Sequence, residues 1–418
     1  MLKRFYPKNN SEIPKLFSVV LDQAFMSITT FITTIVLART YEKTAYADLV
    51  LLFSITIFIL GFQSAIISKP YAINLNDFEE RAQTSYFNFN LILKGLFTLG
   101  TVIVFPLLYF LSFEERSGKV FLLFLTYVIA HSSYFFVRET LLGQRKTRQN
   151  LMYGVFCSFG IITSLAFIFF FKVKDLGFFL RIASVVYIMI TTIYVFNNYK
   201  KTSIKVKEHK KFWRLNWGVG KWLLGSNFLF HVSTNIYPWL LLYITTKDDI
   251  AIFGVLMSVA GLVNPILTAF GSYFLPIFVG INKNFEKIKS TVKKWSLVFG
   301  AIAIVLIALG YFFGQKIIVL FFGGKYTDLG LVVVYPFVYQ AINIFFQPYK
   351  IALNAIKRTD VNFWILIPRS IVALILGYFF ISRFGLVGVF YSMIIENIMY
   401  QILNYVIYRG IIIKTQSQ

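Results

Sequence analysis

Long apolar runs separated by short polar and basic segments dominate the pattern of this 418-residue chain. A helix needs roughly 20 apolar residues to cross about 30 Å of hydrocarbon, and twelve runs reach that length. Backbone groups in lipid must find partners within their own segment, so these runs predict helices. The predicted spans are 16–37, 46–67, 86–111, 120–142, 151–171, 178–197, 222–244, 250–273, 295–313, 331–354, 363–381 and 386–408. The pattern therefore predicts an all-α polytopic membrane protein.

The second half of this pattern repeats the first. The segment RKTRQN at 145–150 returns as KRTDVN at 357–362, and the polar face of the first predicted helix returns in the seventh. These two faces consist of Gln23, Ser27, Thr30 and Thr34, and of Asn227, His231, Thr234 and Pro238. We predict two pseudo-symmetric six-helix bundles, 1–199 and 217–418, joined by a basic cytoplasmic linker at 200–216. Like-oriented halves of this kind are typical of transporters that carry their substrate between the halves.

The basic residues orient the chain in the membrane. If both termini are cytoplasmic, the cytoplasmic segments carry more than twice as many Lys and Arg as the outer loops. This bias follows the positive-inside rule. The formal net charge of +23 is then explained by topology and by contact with anionic lipid head groups, so we predict no nucleic-acid partner.

Composition excludes several classes of protein. The chain is 57% hydrophobic and 14% charged, with a mean hydropathy of +0.70, so the bilayer must be part of its solvent. The single cysteine, Cys157, excludes a disulfide framework. No phosphate-binding loop, metal-ligand motif or nucleophile elbow is present, which predicts a protein that is not an enzyme and has no cofactor. Any active transport would then draw on a proton or sodium gradient.

Several basic residues fall inside the predicted spans, where an ionisable side chain is costly unless it is paired or faces water. Lys94 and Arg369 lie well inside their helices. Arg138 and Lys350 occupy equivalent positions in the two halves. The helical face that carries Lys350 also carries Asn343 and Gln347. These faces predict an interior role for both cations, and the alternative is that they anchor the cytoplasmic ends of helices 4 and 10.

Two acidic residues, Asp22 and Glu396, fall inside spans and are candidates for ion or proton coupling. For Glu396, pairing with Arg369 is an equally good alternative. Asp48 and Glu139 lie near helix ends, which predicts that they are solvated. The polar faces of helices 1 and 7 predict a hydrated lumen, although packing between helices is the alternative there. Prolines are concentrated in the second half and predict bends in its helices.

Three motifs carry a resemblance to a known family. They are Asp22-Gln23 leading into FITTIVLAR at 31–39, KPYA at 69–72, and LFFGGKY at 320–326. With twelve spans in two repeats, the chain resembles the polysaccharide-unit (O-antigen type) flippases of the multidrug/oligosaccharidyl-lipid/polysaccharide export superfamily. The fourteen-helix peptidoglycan-precursor relatives match less well, because two helices are missing here.

The resemblance implies a V-shaped pair of six-helix bundles in the bacterial inner membrane. It implies a substrate of undecaprenyl-pyrophosphate carrying one sugar repeat unit, moved from the cytoplasmic to the periplasmic leaflet. A polysaccharide polymerase and a chain-length regulator are the implied partners.

Under this hypothesis, cations hold the pyrophosphate and polar side chains line the sugar path. The cations are Lys94, Arg138, Lys350 and Arg369, and the polar residues are Gln23, Ser27, Thr30, Asn227, His231, Asn343 and Gln347.

Three other functions stay open at this stage. A cation- or proton-coupled small-molecule exporter of the same superfamily would favour acidic residues inside its lobes, whereas interior cations outnumber acids here. A membrane-embedded glycan polymerase has a similar number of spans but usually carries a large outer loop, and the repeat is not expected of that class. A scaffold subunit of an envelope complex has no need of charges inside its spans.

Overall fold

The computed structural model describes residues 12–113, 117–199, 206–281, 284–355 and 360–416. The described residues are almost entirely helical and contain no strand. In chain order the helices are α1 (Glu12–Thr40), α2 (Lys43–Gln63), α3 (Lys69–Asn74), α4 (Glu80–Ser112), α5 (Gly118–Gly143), α6 (Thr147–Phe171), α7 (Leu176–Asn198), α8 (Val206–Thr234), α9 (Tyr237–Ile244), α10 (Lys247–Gly261), α11 (Asn264–Gly280), α12 (Phe285–Phe322), α13 (Tyr335–Ala355) and α14 (Asp360–Gln416). The predicted class, an all-α polytopic membrane protein, is confirmed.

Ten helical segments of the described chain are long and apolar enough to cross a membrane. The predicted spans 11 and 12 are the two arms of α14, which folds back at Gly385, whose φ of 55° suits glycine. The predicted span 7 is helical and corresponds to the end of α8 and to α9. Its polar residues lower its hydropathy, so it is not one of the ten apolar segments. The predicted span 8 is divided into α10 and α11, and Pro265 opens α11.

The chain divides into two compact units. Unit 1 comprises residues 1–33 and 55–225, and unit 2 comprises residues 34–54 and 226–418. The division therefore falls inside α1, α2 and α8 rather than in a loop. The first part of the predicted linker, 200–205, and the first half of the repeated segment, 357–359, lie outside the described residues.

Each unit has its own apolar core. In unit 1, α5 packs against α7, and an aromatic cluster joins α4, α5, α7 and α8 around Tyr86, Tyr194 and Phe212. In unit 2, α12 packs against α13, with Phe278 and Phe299 in the core. Many large apolar side chains elsewhere on the spans are exposed, which is expected of surfaces that lipid covers.

Candidate functional site

A buried charge cluster joins three helices of unit 1. Arg138 on α5 donates from Nη2 to Oδ2 of Asp22 on α1, and Asn150 at the start of α6 donates to the same oxygen over 2.8 Å. Asp22 and Asn150 are fully buried, and Arg138 is 5% exposed. A charge in such a place is tolerated when it is paired and hydrogen-bonded. The cluster therefore fixes α1 against α5 and α6.

Gly154, one turn after Asn150, makes room for this cluster. A Cβ atom at Gly154 would overlap Oδ1 of Asp22. That oxygen forms no hydrogen bond in the structure and lies directly against the helix backbone. Glycine at this position therefore lets α6 approach the carboxylate.

Lys94 is a buried charge of unit 1 that has no acidic partner among the described residues. It lies about 21 Å along α4 from Glu80, because α4 begins earlier than the predicted span. Its side chain is 5% exposed, and Nζ donates to Oγ of Ser132 on α5 over 2.7 Å. Among the described residues, no carboxylate pairs with it. Lys94 thus places a positive charge inside the unit that a bound anion would neutralise.

In unit 2, the corresponding charges lie on the two arms of α14. Arg369 donates from Nε to Oε2 of Glu396 over 2.5 Å and from Nη2 to Oε1 over 3.0 Å. The ring of Tyr400 covers the guanidinium, with 4.6 Å between Cζ and the ring centroid. Both charged side chains are buried. The structure thus places this predicted anion ligand and this predicted coupling residue in one ion pair.

An amide network lies beside this pair. Asn343 on α13 donates to Oε1 of Gln340 over 3.1 Å, and its own Oδ1 accepts from Asn397 over 3.1 Å and from Gln401 over 3.2 Å. Gln340 continues the network to the carbonyl of Ala260 over 2.8 Å. The sequence pattern singled out Asn343 but not Asn397 or Gln401. A signal for them exists, because Asn397 and Gln401 lie four residues apart, on one helical face of the last predicted span.

The remaining predicted residues lie on α1 in unit 1 and on α8 in unit 2. Gln23 and Thr30 are exposed, and Ser27 and Asn227 are half-buried. The ring Nδ1 of His231, which is buried, lies 2.7 Å from Nδ2 of Asn235.

The two cations that the repeat made equivalent differ in their surroundings. Lys350 is half-buried and forms no ion pair within the described ranges, whereas Arg138 is buried in the Asp22 cluster. Gln347, one turn before Lys350, donates to the carbonyl of Leu267 over 3.2 Å. Over the part of the chain that the structure describes, no group of three or more His, Cys, Asp or Glu residues is placed to hold a metal ion.

Comparison with known proteins gives structural relatives only. No family model matches the chain, and no curated protein matches it. A solved inward-facing multidrug resistance MATE family transporter of the MOP superfamily superposes with a TM-score of 0.72 at 13% identity, covering 96% of this chain and 99% of the other. The lipid II flippase MurJ, in an inward closed conformation, gives 0.69 at 14% identity, covering 93% and 86%.

A MOP superfamily transporter from Pyrococcus furiosus gives a TM-score of 0.61 at 12% identity, covering 95% of this chain and 94% of the other. At identities this low, the structural superposition establishes the fold alone. The substrate has to be inferred from the residues of this chain. The chain has the fold of the MOP superfamily transporters, as its resemblance to a family in that superfamily implied.

Proposed function

We propose that this protein is a flippase for undecaprenyl-pyrophosphate-linked oligosaccharide repeat units. It moves them from the cytoplasmic leaflet to the outer leaflet of the bacterial inner membrane by alternating access, with both of its termini in the cytoplasm. Support for a lipid-linked substrate comes from the fold, which is shared with a protein named as a lipid II flippase. The polysaccharide polymerase and the chain-length regulator that the resemblance implies are its proposed partners.

The observation that carries this proposal is Lys94. A buried ammonium group without a carboxylate partner is costly, and a phosphate oxygen is a strong acceptor for it. A pyrophosphate substrate would supply the missing negative charge. The nearby hydroxyl of Ser132 already orients the ammonium group through the 2.7 Å hydrogen bond.

The other proposed anion ligands act under different conditions. Arg138 and Arg369 are already neutralised by Asp22 and Glu396, so either arginine would bind a phosphate only after its ion pair opens. This exchange would link substrate binding to the two proposed coupling residues. Lys350 is half-buried and free of a carboxylate in the described chain, and it can accept an anion without such an exchange.

Polar side chains on both units are proposed to line the sugar path. Gln23 and Thr30 expose hydrogen-bonding groups within α1, and the amide network around Asn343 offers more in unit 2. Hydroxyl-rich sugars need such partners when they leave water. Ser27, Asn227, His231 and Gln347 complete the proposed set.

Replacing Lys94 with Met in the chromosomal gene tests the proposal. We expect normal protein levels in the membrane, a loss of surface polysaccharide, and accumulation of lipid-linked repeat units on the cytoplasmic face. Lys221→Met is the matched control, because Lys221 is exposed on α8 and lies over the ring of Trp222. Undiminished surface polysaccharide in the Lys94→Met strain would reject the assigned role of Lys94.

A small-molecule exporter is the second candidate, and the likeness to a multidrug resistance transporter favours it. Such a protein would need acidic side chains free to bind organic cations. The two deepest acids, Asp22 and Glu396, are both held by arginines. A strain lacking the gene that becomes sensitive to cationic drugs but keeps its surface polysaccharide would favour the exporter.

A further inference from the structure

An apolar groove lies between α2 and α4 within unit 1. It has a volume of about 340 Å³, and its walls are formed by Phe58, Ile59 and Phe62 on α2 and by residues between Phe97 and Leu108 on α4. Pockets that bind small molecules typically enclose about 300–1,000 Å³. The groove is therefore large enough to hold part of a ligand.

The groove opens on an exposed apolar face of α4. Thr101 and Phe105 on its floor are buried, whereas Gly100 and Val104 at its rim are exposed. Glycine keeps the rim open, because a Cβ atom at Gly100 would have no heavy atom within 4 Å. The adjacent Ile103 is 77% exposed, as expected of a surface that lipid covers. A groove of this kind suits a hydrocarbon chain that enters from the bilayer and is held by dispersion contacts.

One end of the groove adjoins the buried cation Lys94. The ring centroid of Phe97, which lines the groove, lies 5.8 Å from Nζ of Lys94. On the opposite wall, Phe62 is followed by Gln63, which donates from Nε2 to the carbonyl of Ser132 over 3.0 Å. Lys94 donates to the hydroxyl of the same serine. The groove thus leads from an ammonium group into apolar space.

The acidic residue of α5 does not neutralise this cation. Glu139 lies two turns beyond Ser132 and accepts through Oε1 from Ser64 over 2.6 Å, in the π-helical turn Ser64–Ser68 that follows α2. The prediction that Glu139 is solvated is wrong, because this bond holds Oε1 and Oε2 is buried. Since no carboxylate of the described chain forms an ion pair with Lys94, an anionic ligand at the end of the groove would supply its counter-charge.

The depth of Lys94 distinguishes a transported lipid from a resident phospholipid. Lys94 lies about 21 Å along α4 from Glu80, and the hydrocarbon core is about 30 Å thick. A resident phospholipid keeps its phosphate at the surface of this core, whereas a lipid that is moved across the membrane brings its phosphate to the depth of Lys94. The groove continues from Phe97 to Leu108, a further ~17 Å along α4.

We propose that this groove binds the first isoprene units of a polyprenyl chain while the pyrophosphate of the same lipid contacts Lys94. A polyprenyl chain has a double bond in every unit, so it loses less conformational freedom on binding than a saturated acyl chain does. Its methyl branches fill the space between the aromatic walls. With both termini in the cytoplasm, the chain lies on the outer side of Lys94, which is the orientation of a lipid that enters from the cytoplasmic leaflet.

This inference rests on the proposed function, because the polyprenyl chain belongs to the substrate proposed there. The groove can nevertheless be tested without any sugar. Binding of a polyprenyl pyrophosphate to the purified protein is a result separate from the surface polysaccharide of a strain, so the two proposals succeed or fail independently.

The experiment measures equilibrium binding of radioactive farnesyl pyrophosphate, a short soluble polyprenyl pyrophosphate, to the protein in phosphatidylcholine nanodiscs. We expect saturable binding that is tighter than that of inorganic pyrophosphate by about tenfold or more, because the groove adds contacts. Gly100→Phe fills the groove and should remove this advantage, while leaving the binding of inorganic pyrophosphate unchanged. Lys94→Met should weaken the binding of both ligands.

Val104→Trp narrows the exposed rim without changing the buried floor, so it guards against misfolding of Gly100→Phe. Ile103→Trp is the matched control, because Ile103 is the preceding residue, is exposed and lies outside the groove. This control should bind farnesyl pyrophosphate as the wild type does.

Absence of saturable binding by the wild type would overturn the proposal. Weaker binding by Lys94→Met with unchanged binding by both groove variants would also overturn it, and would leave the anion-binding role of Lys94 intact. Displacement of farnesyl pyrophosphate by phosphatidylglycerol as readily as by undecaprenyl pyrophosphate would show a general lipid cleft instead.

Discussion

Arg369 holds the carboxylate of Glu396 through two hydrogen bonds, and the two residues lie on opposite sides of the break at Gly385 in α14. The pair therefore joins the two arms of this helix inside unit 2. Arg138 and Asp22 form a comparable buried pair in unit 1, where they join α5 to α1. In each unit the deepest acid is neutralised by an arginine of the same unit.

Replacing only one partner of the Arg369–Glu396 pair should destabilise the protein more than replacing both partners. Arg369→Met leaves the carboxylate of Glu396 buried and unpaired, which typically costs about 3–5 kcal/mol. The double variant Arg369→Met with Glu396→Leu should recover most of that loss. Reversible unfolding in mixed micelles measures both free energies.

The exposed pair of Arg181 and Asp175 provides the control for this experiment. Both side chains are more than half exposed, so Arg181→Met should cost no more than about 1 kcal/mol. A double variant of the buried pair that is as unstable as the single variant would contradict this account.

Gly154→Ala should disrupt the unit 1 cluster. The added Cβ meets the carboxylate of Asp22, and overpacking of this kind typically costs about 1–3 kcal/mol. Gly95→Ala is the matched control, because a Cβ there has no heavy atom within 4 Å and alanine is the better helix former. Unfolding midpoints of the two purified variants test the difference, and equal midpoints would show that Gly154 has no packing role.

Lys94→Met should separate stability from function. Removing a buried charge that has no carboxylate partner relieves a desolvation cost, so the variant should be as stable as the wild type or more stable. The same change should abolish transport if Lys94 binds the substrate anion. Thermal unfolding and surface polysaccharide are measured on the same variant. Equal loss of both would indicate a structural role for Lys94.

The predicted orientation can be tested with single cysteines. Cys157 is buried, so Cys157→Ser gives a background without reactive thiols. A cysteine in place of Lys174, which is exposed between α6 and α7, should react with an impermeant maleimide in intact spheroplasts. A cysteine in place of Lys146, which is exposed between α5 and α6, should react only after lysis. The reverse pattern would invert the topology.

The fold was largely predictable because membrane spans are encoded locally. Hydropathy located every region that the structure forms as a long apolar helix. Hydropathy could not show that the second span continues through a π-helical turn to Asp77, or that α4 begins at Glu80, since polar residues at these ends resemble loop residues. The two predicted spans on either side of Gly385 correspond to the two arms of α14.

The sequence indicated which charged residues of the candidate site lie deep in their spans, but it did not indicate most of their ion-pair partners. Depth within the predicted spans singled out Lys94 and Arg369, and the repeat singled out Arg138, with anchoring of the helix end as its alternative. The structure buries all three side chains. Partners across helices depend on packing, so the pairing of Arg138 with Asp22 was not foreseen. The repeat made Arg138 and Lys350 equivalent, yet only Arg138 has a buried carboxylate beside it.

The sidedness of lipid-linked sugar units in a strain lacking the gene tests the central claim most directly. Spheroplasts are treated with an impermeant reagent that modifies the sugars, and the modified fraction of undecaprenyl-linked units is measured with and without the restored gene. The account predicts that the units remain protected on the cytoplasmic face without the gene and become accessible when it is restored. Units that reach the outer face without the gene, but remain unpolymerised, would contradict it and indicate a polymerase.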